Sequence, residues 1–146
     1  MSKMNQLHDQ AMDIAEKAFL AQHADDKTAF IRLSKDAFLL EKAAAMALKD
    51  KTDAEPSRSI LFKSTAFLAF DAQEYQACRD MITYTLLGKP DPIIKAEMNA
   101  LFLEVDALRQ KMPSKFEEIK NKIALLDGGK EIIREIELRF APFGLI

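Results

Sequence analysis

Apolar residues return at alternating steps of three and four from the start of the chain. Met4, Leu7, Ala11, Ile14, Ala18 and Ala21 mark one face of a helix over 4–21, widened by Ala15 and Phe19. A polar break at His23-Ala24-Asp25-Asp26 follows, where Asp25 or Asp26 supplies an N-cap. The next stretch, 27–49, carries two stripes: Phe30, Leu33, Ala37, Leu40, Ala44 and Ala47, and beside them Ile31, Phe38, Ala45 and Leu48. A helix with two apolar stripes needs two neighbours, and at 1.5 Å per residue this one runs to about 35 Å.

After a polar linker at 50–55, Pro56 sits where a helix accepts proline best, at its start. The third helix, 56–71, is apolar over most of its second half through Ala66, Phe67, Leu68, Ala69 and Phe70, which predicts a central position. Asp71-Ala72-Gln73-Glu74-Tyr75 reads as a tight turn into a fourth helix, 74–87, that stops at Gly88 before Pro90. Asp91-Pro92 opens a fifth helix with Ile94, Met98, Leu101, Val105 and Leu108 on its stripe, ending near Lys111 before Pro113. Ser114 and Glu117 form a capping box for a sixth helix, which runs to Asp127-Gly128-Gly129. The last segment fits two periods. Ile132, Ile133, Ile136 and Phe140 suit a helix, the preferred reading, whereas Ile136, Leu138 and Phe140 also alternate as in a strand.

The expected fold is therefore all-α: antiparallel helical hairpins stacked as a short array. It forms one domain over 1–146, with hairpins in 1–111 and a C-terminal capping segment in 112–146. The apolar ending Ala141-Pro142-Phe143-Gly144-Leu145-Ile146 either folds back on the helices or docks into a second copy of the chain.

Composition narrows the function. With 23 acidic and 21 basic residues there is no broad cationic field, so nucleic acid is not an expected partner. No segment approaches the ~20 apolar residues of a membrane span and no signal-peptide pattern opens the chain, so a cytoplasmic setting is expected. The single Cys78 reads as a buried core thiol. His8 and His23 lie about 22 Å apart along one helix and cannot share a metal within it, so both read as surface histidines. No pattern asks for a cofactor or marks an enzyme.

Ser59 to Pro90 resembles a degenerate tetratricopeptide repeat. Phe62 stands at the family's tryptophan position, Ala66 at the small crossing residue, Cys78 at the alanine and Pro90 at the terminal proline, while Thr65, Ala69 and Ile82 depart from the pattern. The run Glu55-Pro56-Ser57-Arg58-Ser59-Ile60-Leu61-Phe62, with Phe67-Leu68-Ala69 and Glu74-Tyr75, also resembles uncharacterised bacterial proteins of this type. The resemblance implies a right-handed array whose first helices line a concave face. Ile60, Lys63, Phe67 and Phe70 would then point into a groove, with Arg58 at its mouth. It further implies a non-catalytic scaffold or adaptor that takes an unidentified protein or peptide, with Arg58 and Lys63 as anion anchors and Phe67 and Phe70 as apolar contacts. Two other readings stay open: a helical bundle with a small-ligand or catalytic pocket between the second and fifth helices, and a structural module that self-associates as a homo-oligomer.

Overall fold

The computed structural model describes residues 2–111 and 115–140. All regular elements among them are helices: α1 Lys3–His23, α2 Lys27–Met46, α3 Ser57–Asp71, α4 Tyr75–Leu87, α5 Pro92–Lys111, α6 Lys115–Ala124 and α7 Gly129–Phe140. The final segment is thus helical, and the strand alternative falls away. Ser114 of the expected capping box and the apolar ending 141–146 lie outside the described residues. The chain divides into two compact units, the first ending at Ala107 and the second beginning at Leu108. The division falls inside α5.

Local chemistry sets the element boundaries in the first unit. Ser2 caps α1 by accepting from the Asn5 amide at 3.1 Å, and Asp26 caps α2 by accepting from the Ala29 amide at 3.1 Å. The chain reverses between them through Asp25, held at φ 60°, a conformation that Asn and Asp tolerate better than most residues. Glu55 caps α3 from outside: its carboxylate accepts the Ser59 amide at 3.2 Å and the Ser59 hydroxyl at 2.8 Å, and also takes the Lys89 amide at 3.2 Å. Asp91 accepts from the Ile94 amide at 2.8 Å, which is why α5 starts at Pro92.

α1 and α2 pack as an antiparallel hairpin, α2 packs on α3, and α3 and α4 form a second hairpin through the turn at Ala72–Glu74. α2 thus has the two neighbours its two stripes require, and α3 lies between α2 and α4. Alanines mark the close approaches: Ala11 and Ala18 of α1, Ala37, Ala44 and Ala45 of α2, and Ala66 and Ala69 of α3 are all buried. Phe62, Met81, Ile82, Met98, Leu101 and Val105 fill the rest of one continuous core, each side chain contributing about 1.5–3 kcal/mol. α5 joins this core through its larger side chains, with Arg79 of α4 over the Phe102 ring at 5.2 Å.

In the second unit α6 and α7 pack together around a turn in which Gly128 adopts φ 70°. Gly129 lies so close to the Ile123 carbonyl that a Cβ would collide with it.

Candidate functional site

The contacts of α2 with its two neighbours fix the geometry of a groove. His8 of α1 and Ser64 of α3 both reach Glu41 of α2, while near the other end Phe30 and Ser34 of α2 share a cavity with Phe19 of α1 and Leu68 of α3. α1 and α3 consequently run in the same direction on α2, each antiparallel to it. Two cavities of about 180 Å³ each mark the ends of the space between them. One is lined by Met4, Asn5, His8, Ser57, Ile60 and Leu61. The other is lined by α1 through Ala15, Ala18, Phe19 and Gln22, by α2 through Phe30 and Ser34, and by α3 through Leu68 and Asp71.

Glu41 is fully buried, and its oxygens lie 2.8 and 3.1 Å from His8 Nδ1. The Ser64 hydroxyl donates to the same carboxylate at 2.8 Å. This cluster ties three helices together at one point. Its order is serine, glutamate, histidine: the hydroxyl donates to the carboxylate and not to the imidazole, so His8 is not placed to activate Ser64 as a nucleophile. His8 is therefore no solitary surface histidine. With Nδ1 engaged, Nε2 is the ring nitrogen left to meet a ligand in the adjoining cavity.

At the far end, burial pushes the Asp71 carboxyl up to about 6. The fold resists its ionisation, so its contribution to stability is present at low pH and is lost as pH rises through about 6. None of the hydrogen bonds or ion pairs among the described residues involves this carboxyl. The Ser34 hydroxyl beside the same cavity is completely buried and has no hydrogen-bond partner. Cys78, also fully buried, is pushed up to about 12 by burial first and by the negative charge of Asp71 second. At pH 8 iodoacetamide should therefore alkylate the folded protein about a hundredfold more slowly than the guanidinium-unfolded chain, read by mass spectrometry. Equal rates would place the thiol outside the core.

Of the residues expected at the groove, Ile60, Lys63, Phe67 and Phe70 follow one another at helical spacing on α3, and Arg58 does not join them. Arg58 is 1% exposed. Its guanidinium donates twice to the Lys49 carbonyl, at 3.1 and 3.0 Å, and once to the Tyr84 carbonyl at 2.8 Å, and it stacks 4.9 Å from the centre of the Phe62 ring. It joins the ends of α2 and α4 from inside, so its assignment as an anion anchor at a groove mouth is corrected to a core role. Lys63 pairs with Glu97 of α5 at 2.9 Å, which neutralises the second expected anchor. Phe70 packs on the core with its ring 6.0 Å from that of Tyr75. Phe67 remains 36% exposed and shares a helical face with Ile60, 48% exposed.

Among the described residues no three histidine, cysteine or acidic side chains come together as a metal site would need, and no helix is long and apolar enough to cross a membrane. Set against protein-family models, curated proteins and solved structures, the chain matches none of them.

Proposed function

We propose that this protein is a non-catalytic binding scaffold built on tetratricopeptide-like hairpins, and that it holds an apolar segment of another protein bearing a basic side chain. The observation that carries this reading is the parallel placement of α1 and α3 on α2, with Ile60 and Phe67 exposed on α3 and a cavity at each end of the intervening space. Tetratricopeptide-like hairpins bind on the surface lined by their first helices, and on this reading α1 and α3 are those helices. The basic preference follows from charge. Arg58 is buried and Lys63 is paired, whereas Asp71 at the groove end has no cationic partner among the described residues. The ligand therefore has the opposite sign to the anionic peptide expected from sequence.

Selection of a random peptide library on the purified protein tests this. Selected peptides should share apolar residues with at least one lysine or arginine. The double variant Ile60→Glu, Phe67→Glu, which alters exposed positions, should weaken their binding by at least about tenfold while leaving the melting curve in place. A selection without consensus, or peptides that bind the variant equally well, would remove the groove reading.

A further inference from the structure

We propose that the cavity walled by Ala15, Phe19, Phe30, Ser34, Leu68 and Asp71 is a pocket for a primary ammonium group, supplied by a lysine side chain of the segment held in the groove. The groove reading supplies only the source of the ammonium; the chemistry of the pocket stands on its own walls.

Three features converge on that ligand. The Asp71 carboxyl lies at the end of α3 among mainly apolar walls in which the Gln22 amide and the Ser34 hydroxyl are the other polar groups, and no hydrogen bond or ion pair among the described residues engages it. Uncompensated charge in such a place is unfavourable, and a cation entering beside it recovers the lost interaction. The Ser34 hydroxyl, buried and unpartnered, offers an acceptor lone pair to one of the three N–H donors that an ammonium carries. Phe19, whose ring also lies 4.2 Å from that of His23, and Phe30 contribute aromatic surface to the walls, which would cover the methylenes behind an ammonium.

Size selects among cations. A cavity of about 180 Å³ falls below the ~300–1,000 Å³ of sites for drug-sized ligands and cofactors, so it suits one unbranched side chain. A guanidinium would bring five donors in a rigid fork to one carboxyl, one hydroxyl and the Gln22 amide oxygen, more donors in a fixed plane than these walls match, whereas an ammonium brings three. A carboxylate or phosphate would meet Asp71 with like charge.

Titration of isotope-labelled full-length protein with n-butylammonium chloride, followed by amide chemical shifts, tests the pocket without any peptide. Saturable shifts should appear at Phe30, Ser34 and Asp71. Asp71→Asn, which keeps the side-chain shape, should weaken binding by at least about tenfold, and Ser34→Ala by about threefold. The uncharged 1-pentanol, of similar length, should bind at least about tenfold more weakly to the natural protein, a comparison that needs no variant. N-acetyl-lysine methylamide should shift the same amides and its ε-acetylated form should not. Absence of saturation, equal binding by Asp71→Asn, or equal binding of pentanol would overturn the proposal. Butylammonium binding alongside a peptide selection lacking lysine would retain the pocket and remove lysine as its source. A consensus rich in lysine with no butylammonium binding would retain the groove and remove the pocket.

Discussion

Replacing Arg58 with alanine should lower stability by about 3–5 kcal/mol, a third or more of what a domain of this size commonly has. The guanidinium is almost completely enclosed, yet among the described residues no carboxylate pairs with it. Its charge is met by the Lys49 and Tyr84 carbonyls near the C-terminal ends of α2 and α4, where the helix dipole is negative, and by the Phe62 ring. Truncation leaves both carbonyls buried without donors and opens a void over Phe62. Arg58→Lys should recover only part of the loss, because one ammonium cannot reproduce a fork that spans two strands of backbone. The surroundings are fitted to the fork: a Cβ on Gly88 would run into the Arg58 Nη1 atom. Urea unfolding of the three proteins measures these differences, and a loss below about 1 kcal/mol for the alanine variant would show that the guanidinium is not a core group.

Removing the imidazole of His8 should cost about 2–3 kcal/mol. Stranding the buried partner of a hydrogen bond typically costs about 1–3 kcal/mol, more for a charged group, and the His8 side chain is 37% exposed, so water reaches the space it vacates. The origin of the loss lies in the partner: Glu41 keeps only the Ser64 hydroxyl. The sign of the coupling is therefore predictable. Glu41→Gln added to His8→Ala removes the stranded charge and should restore part of the lost stability, whereas Glu41→Gln alone should destabilise. A double-mutant cycle by thermal or urea unfolding reads this directly. Strict additivity would mean that the His8–Glu41 contact carries no energy.

These two sites show where sequence reasoning reached its limit. The helices were legible because each rests on local chemistry: a three-and-four stripe, an aspartate before Ala29 or Ile94, a glycine after Leu87. α2 ends at Met46, earlier than its stripe, because the chain tightens through residues 47–50 and presents the Lys49 carbonyl to Arg58. Arg58 was unreadable as a core residue, since the groups that hold it are backbone carbonyls from two other segments and carry no side-chain signature. Glu41 did leave a signal. It stands four residues after Ala37 and three before Ala44, a charge set in an apolar stripe, and His8 likewise falls in register with Met4 and Ala11. Asp71 and Ser34 gave less, because each is a common residue at a helix end or on a helix face, and only the folding of α1 over both turns them into one wall.

The alanine-lined approach of α1 to α2 bears on the geometry at both ends of the groove. A methyl group has no rotamers, so a seam built from Ala11, Ala18, Ala37 and Ala44 cannot absorb an intruding side chain by repacking. The seam therefore fixes how closely α1 lies on α2, and with it the spacing of His8 from Glu41 at one end and of Phe19 from Phe30 at the other.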